Sequence, residues 1–271
     1  SLTTLLWAAL FLTACLLIWQ KKPAILSILT FTAALLMKES AMPGVAVILA
    51  LLWWRDYESR ADWRVLLKHW APYAIISVAY LTCRTLILPD ILNFPANTYL
   101  AVPYAIWKYA SAILSPVNLI IFEAQQKNFI TPTSILDPTV LAGTLISLAF
   151  VGLMIFCFRK KLIPEFFGLF WFGAFMFPFI QIINIGVYIG TRSLYVQIIG
   201  LSLAVLNIAR RVAPAWVALL IARRQKVVYS LTGILLVVLA ALTFIRNQDW
   251  RNGETFWRSV LKVDASSVTA R

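Results

Sequence analysis

Residues 24–54, AILSILTFTAALLMKESAMPGVAVILALLWW, decide the reading of this chain: two apolar stretches joined by Lys38, Glu39 and Ser40. The first stretch, Ala24–Met37, is 14 residues long, roughly 21 Å as a helix, against a hydrocarbon core about 30 Å thick. Unless the preceding turn also sinks into the bilayer, the Lys38–Glu39 hinge cannot reach the far surface. It then holds two charges below the headgroups, each costing roughly 2.5–3.5 kcal/mol on insertion scales. The sequence predicts Ser40 as N-cap of the returning helix and Pro43 in its first turn. The free amides of that turn, beside Lys38, make an anion site. The alternative is a Lys–Glu pair that neutralises itself at a tight turn.

Composition places the stretch in its class. The chain is 61% hydrophobic and 13% charged, with mean hydropathy +0.83, whereas a soluble domain carries about 25% charged residues. This predicts an all-α, polytopic membrane bundle. A net charge of +13 invites a nucleic-acid reading, but the charges lie in the gaps between apolar stretches. They gather in Lys21-Lys22, in 55–68, in Arg159-Lys160-Lys161, and in 210–226, as the positive-inside rule requires. Cys15, Cys83 and Cys157 sit in or beside apolar stretches, so no disulfide framework is indicated, nor a ligand cluster for a divalent metal. His69, the one histidine, has no catalytic partner in its basic surroundings.

The predicted spans are 3–19, 23–37, 41–54, 71–89, 139–158, 163–183, 193–208 and 227–245. With Lys21-Lys22 cytoplasmic, the gaps 55–70, 159–162 and 209–226 also fall inside, and these four places hold 14 of the 24 Lys and Arg. The gaps 90–138 and 184–192 fall outside, with the C-terminal segment. Residues 101–122 read as an interfacial or re-entrant helix broken at Pro116, since a crossing there would turn Arg159-Lys160-Lys161 outward. Residues 212–221 are too short to span and read as a cytoplasmic surface segment.

Three cations thus fall at similar depth on the outer side: Lys38 at the hinge, Arg84 about 8 Å below the end of its span, and Arg192 at the start of the seventh. Against the one acid Glu39 they call for an anion, and a lipid phosphate or pyrophosphate supplies one. Tyr195, one turn after Arg192, adds a hydroxyl donor.

At these residues the chain resembles a known family. MKESAMP is similar to the "KE" hinge of GT-C membrane glycosyltransferases. TRSLYVQIIGLSL resembles the E-R-x-L-Y-x-P-S-x-G-F segment of the transmembrane and tetratricopeptide-repeat O-mannosyltransferases and their bacterial relatives. SPVNL (115–119) resembles their P-x-N-L stretch, and RNQDWRNGETFWRSVLKVDASSVTAR their junction with an outer repeat array. Thr191 stands where the family has Glu, and Val196-Gln197 where it has Leu-Pro.

The resemblance implies a GT-C-like transmembrane domain over 1–245 and the start of a periplasmic or luminal tetratricopeptide-like region over 246–271. It implies transfer of a sugar from a polyprenyl-phosphate donor to an acceptor, a protein or glycan, on the outer face of a bacterial inner membrane. The donor phosphate would be held by Lys38, Glu39, Arg84, Arg192 and Tyr195. The catalytic base would be an acid in an outer loop preceding Ser1, so the chain reads as a fragment without it. Two alternatives remain: an O-antigen ligase or polymerase-like transferase, and a transporter or flippase of lipid-linked sugars. The first expects Arg and His in a large outer loop, and segment 90–138 has neither. The second expects charges along a path through the bilayer, and often an internal repeat. A structural anchor for an outer repeat domain would need no intramembrane Lys38, Arg84 or Arg192.

Overall fold

Two lysines in left-handed backbone end two of the helices. In the computed structural model α1 (Leu2–Trp19) closes at Lys21, φ 54°. Lys22 N–H donates to Leu17 O (3.0 Å) and Lys21 N–H to Ile18 O (3.1 Å). That is the Schellman pattern, here with Lys in the place that glycine usually takes, and Pro23 follows it. The second case is α6 (Pro138–Arg159), where Lys161 has φ 56° and Leu162 N–H reaches Cys157 O at 2.9 Å. Both turns keep cations at the ends of apolar helices, at a backbone cost of roughly 1–2 kcal/mol each.

The structure describes residues 2–57, 62–87, 98–114, 132, 134–180, 194–213, 225–248 and 251–263. Among these every regular element is helical. Besides α1 and α6 they form α2 (Ala24–Met37), α3 (Gly44–Asp56), α4 (Trp63–Ile87), α5 (Thr98–Leu114), α7 (Ile163–Met176), α8 (Leu194–Val212), α9 (Gln225–Gln248) and α10 (Gly253–Val263). Short 3-10 turns cover Glu39–Ala41 and Phe177–Phe179.

The main core is aromatic and joins α1, α2, α3, α4, α7 and α8. Phe11, wholly buried, meets Phe31, Trp171 and Phe175 at centroid distances of 6.4, 5.5 and 5.3 Å. A Cβ on Gly44 would come within 2.4 Å of the Phe11 ring, so only glycine lets α3 start against the middle of α1.

α7 and α8 run antiparallel as a clasp. The Trp171 indole N–H donates to Val196 O (2.8 Å), and the Gln197 amide donates to Phe175 O (2.9 Å). Gly168 and Gly200 let the backbones touch, since a Cβ on either would lie within 2.7 Å of the other's carbonyl or closer. This is the small-residue crossing that membrane helices use. The far end is tied by Arg211 to Glu165, whose carboxylate is buried.

Contacts between ends sort the bundle. Trp19 meets Trp54 with tilted rings (4.9 Å) and Trp53 meets Phe158 and Phe166 (6.0 and 5.9 Å). Arg55 donates to Ile18 O at 3.2 Å. The ends of α1, α3, α6 and α8 and the start of α7 therefore meet, and Lys21, Lys22, Arg55, Arg159, Lys160, Lys161, Arg210 and Arg211 gather there. At the opposite end, α5 packs Ala105 and Tyr109 onto Met176 and Leu194. It crosses α6 so closely that a Cβ on Gly143 would overlap the Pro103 carbonyl.

Among the described residues two helices, α6 and α8, are long and apolar enough to cross a membrane. α1, α2, α7 and part of α9 are shorter apolar helices. α4 begins at Trp63, well before the expected 71, and absorbs Pro72 within it. α5 ends at Leu114, so the expected break at Pro116 lies outside the described residues, as do 214–221 of the expected surface segment. α9 runs on to Gln248, past the expected boundary at 245.

Candidate functional site

The hinge between α2 and α3 is built from a change of backbone at one residue. Lys38 leaves the helix in extended conformation (φ −163°, ψ 131°), its own N–H still donating to Ala34 O. Glu39, Ser40 and Ala41 then form a single 3-10 turn. Pro43, rather than Ser40, is the N-cap of α3, without a side-chain cap bond. The expected cap is thus displaced, because the 3-10 turn comes before the helix start.

The same turn changes the expected anion site. Ala41 N–H donates to Lys38 O and Met42 N–H to Glu39 O (3.0 and 2.9 Å). Val45 and Ala46 donate to Met42 O and Pro43 O (3.2 and 3.1 Å). These four amides are occupied by neighbouring carbonyls, and the side-chain cations beside them add capacity for an anion.

Arg84 supplies one of them. It lies in the last turn of α4, and its Nη1 is 3.5 Å from Glu39 Oε2. Two ties set the position of α4. The Trp70 indole donates to Val45 O at 2.8 Å. Tyr73 and Ser27, both buried, share a 2.6 Å hydroxyl bond, and the Ser27 hydroxyl also bonds Ala24 O. From Tyr73 to Arg84 is 11 residues, about 17 Å along the helix, and from Ser27 to Glu39 is a similar rise. The two pairs therefore face each other at matching heights.

The Arg84–Glu39 contact is longer than a charge-assisted hydrogen bond, which lies near 2.7–2.9 Å, and involves one guanidinium nitrogen. It is an ion pair of loose geometry at a half-exposed carboxylate. Lys38 adds a second positive charge next to Glu39, so Lys38, Glu39 and Arg84 together carry one net positive charge.

Of the other expected residues, Arg192 lies outside the described residues. Tyr195 is half-buried in the first turn of α8, its ring edge-on to Trp7 at 6.1 Å. The structure thus brings Lys38, Glu39 and Arg84 together and seats Tyr195 in the aromatic core. Asp137 N-caps α6, accepting from Thr139 N–H at 2.8 Å. Glu123 and Asp90 lie outside the described residues. Among the described residues no three His, Cys, Asp or Glu cluster as metal ligands.

Two polar features were not singled out from sequence. Gln197 is buried, with Oε1 lacking a hydrogen bond while Nε2 holds Phe175 O. Glu165 is buried with Oε2 similarly unbonded. A lone polar residue facing a glycine-rich crossing is the available sequence signal for Gln197. Glu165 and Arg211 are too far apart in the chain to be paired by inspection. An apolar cleft of about 230 Å³, lined among others by Leu16, Trp19, Trp54, Trp171 and Gly200, lies toward the basic end. Its lining suits a hydrocarbon chain and holds no cation for a phosphate. Comparison with protein-family models, with curated proteins and with solved structures found no match.

Proposed function

We propose that this chain is the donor-binding part of a polytopic membrane glycosyltransferase that uses a polyprenyl-phosphate sugar. Eight spans fit the helices α1–α4 and α6–α9, with α5 as the interfacial or re-entrant helix. The basic end faces the cytoplasm and the hinge faces the outer side. The observation that carries the reading is Arg84 drawn onto Glu39 beside Lys38, at a hinge between helices of 14 and 13 residues. Those lengths, about 21 and 20 Å, keep the charges within the reach of a lipid headgroup seated in the membrane interface.

The chemistry follows from that charge. An acceptor hydroxyl attacks the anomeric carbon of the sugar, its bond to the phosphate oxygen breaks, and the lipid phosphate leaves carrying the electron pair. Cations held at the phosphate stabilise the developing negative charge. Arg84 is suited to this by its planar fork, and its loose pairing leaves it able to turn from Glu39 to phosphate oxygens. The proton from the acceptor passes to a general base.

The test is transfer by the full-length enzyme in vesicles, with donor and acceptor varied separately. Arg84→Ala should raise the apparent KM for the polyprenyl donor more than that for the acceptor. Unchanged donor dependence would refute the assignment.

A further inference from the structure

α9 ends at Gln248 and α10 begins at Gly253, so four residues join them. Fully extended, such a link reaches about 13 Å. One headgroup layer is about 5–8 Å deep, half the difference between the whole bilayer and its hydrocarbon core. The consecutive residues Leu236, Val237, Val238 and Leu239 step around α9 and all are exposed. A helix apolar on every side needs apolar surroundings on every side. With α9 in the hydrocarbon core, the link holds α10 at the headgroups or just above them.

The start of α10 is set locally. Asn252 Oδ1 accepts from Thr255 N–H (2.8 Å), and the Thr255 hydroxyl donates to Asn252 O (3.0 Å). This capping turn makes the link short whatever lies around it. At 100° per residue, positions 256, 257, 260, 261 and 263 then fall in one arc of about 160°, all apolar. Positions 254, 255, 258, 259 and 262 fill the other side, all polar. On that side Glu254 and Arg258 pair at 2.7 Å across one turn. Over the link and the helix, Arg251, Arg258 and Lys262 stand against Asp249 and Glu254, which leaves one net positive charge. Phe256 and Trp257, their rings 5.0 Å apart, occupy the turn nearest α9, where aromatic side chains favour the interface.

We propose that α10 is an interfacial helix lying along the bilayer at the end of α9. Its apolar arc rests at the boundary of headgroups and acyl chains, and its cations face the phosphates of anionic phospholipids. The occupant of the apolar arc is the lipid, and the short link, the net positive charge and the aromatic first turn all select it. α10 would then hold whatever chain follows close to the membrane, on the side where α9 emerges.

The full chain, with Cys15→Ala, Cys83→Ser and Cys157→Ala, is reconstituted in phosphatidylcholine vesicles with and without phosphatidylglycerol. Spin labels are attached at Phe256→Cys, Val260→Cys, Thr255→Cys or Ser259→Cys, one per variant, and collisions with oxygen and with a water-soluble nickel chelate are measured. The expected result is a higher oxygen-to-nickel ratio at 256 and 260 than at 255 and 259. That contrast should be larger with phosphatidylglycerol and shrink when Arg258→Gln and Lys262→Gln are combined. Labels at 256 and 260 shielded from both reagents would show a protein cover, such as the second helix of a repeat, and overturn the proposal. Equal exposure of all four positions to nickel would place α10 in water and overturn it as well. Should Phe256→Cys disturb the helix, Val260 against Ser259 gives the same decision. None of these readings depends on sugar transfer.

Discussion

Glu39 and Arg84 belong to different hairpins of the chain, yet Oε2 of the one lies 3.5 Å from Nη1 of the other. The partners are unequally exposed, the arginine 28% and the glutamate 54%. Arg84 is thus the more enclosed partner. Exposed pairs of this kind contribute little to stability, about 0–1 kcal/mol. Stability alone therefore gives little reason for these charges beside apolar helices.

The first prediction separates a neutral hinge from a working one. Lys38→Met, Glu39→Gln and Arg84→Met together remove all three charges, so that losing Glu39 does not strand its partner Arg84. A neutral hinge would tolerate this, and donor-dependent transfer in the full-length enzyme would persist. The donor-site reading expects transfer to be lost while the protein still inserts, because removing intramembrane charge makes insertion easier. Retained transfer would defeat it.

The second concerns the clasp between α7 and α8. Gly200→Ala puts a methyl 2.5 Å from the Trp171 ring and 2.7 Å from Gly168 O, a clash with backbone that cannot move away cheaply. A loss of about 1–3 kcal/mol is expected. Gln197→Leu removes one hydrogen bond, worth about 0.6 kcal/mol on average in membrane bundles, and also removes the unbonded Oε1. Its cost should stay under about 1 kcal/mol by the same measure. Unfolding of both variants in mixed micelles orders them, and a larger loss for Gln197→Leu would contradict the packing argument.

The third uses the two left-handed lysines. Lys21→Gly and Lys161→Gly should each relieve roughly 1 kcal/mol of backbone strain, since the positions have φ near 55°. Lys21→Ala keeps the strain and loses the same charge, so the glycine variant should be the more stable of the two. Equal melting temperatures for the glycine and alanine variants would count against the strain.

The fourth is a pH dependence at the basic end. Arg55 holds Asp56 through two bonds, 2.7 and 2.5 Å. The hydrogen bond from Arg55 lowers the Asp56 pKa below its ordinary 3.8, with burial opposing and Lys21 and His69 adding attraction. A lowered folded-state value means stability that is present above the ordinary value and lost as pH falls through the folded one. The parent should therefore be more stable than Asp56→Asn near pH 7, with the gap closing below about pH 4. A gap that persists at acid pH would show that the charge is not its source.

The fifth tests orientation. Phosphatase fused after Arg271 should be active, as a periplasmic reporter, and a fluorescent protein that requires the cytoplasm should stay dark there. The opposite pattern would reverse the whole assignment.

Much of the hinge was legible. Met37 ends one helix and Gly44 begins the next because an apolar run stops at Lys38-Glu39, and Pro43 cannot lie in a helix interior. The cap of the returning helix differs from the expected Ser40, since nothing local distinguishes an N-cap serine from a serine inside a 3-10 turn. The aromatic core of Phe11, Phe31, Trp171 and Phe175 was not legible either. In helices apolar on every side there is no moment to say which face turns inward.

The sequence by itself determined that this chain is helical, strongly apolar and basic in alternate gaps, because composition and the length of apolar runs are local properties. It also determined where the cations and the lone acid of the hinge stand along the chain. Only the tertiary structure decided that Arg84 meets Glu39, that Arg211 meets Glu165, and that Trp171 and Gln197 bind α7 to α8. Those pairings depend on the angles at which helices cross. Crossing angles are set by where glycines such as Gly44, Gly143, Gly168 and Gly200 let backbones approach, and that information exists only once both surfaces are in contact.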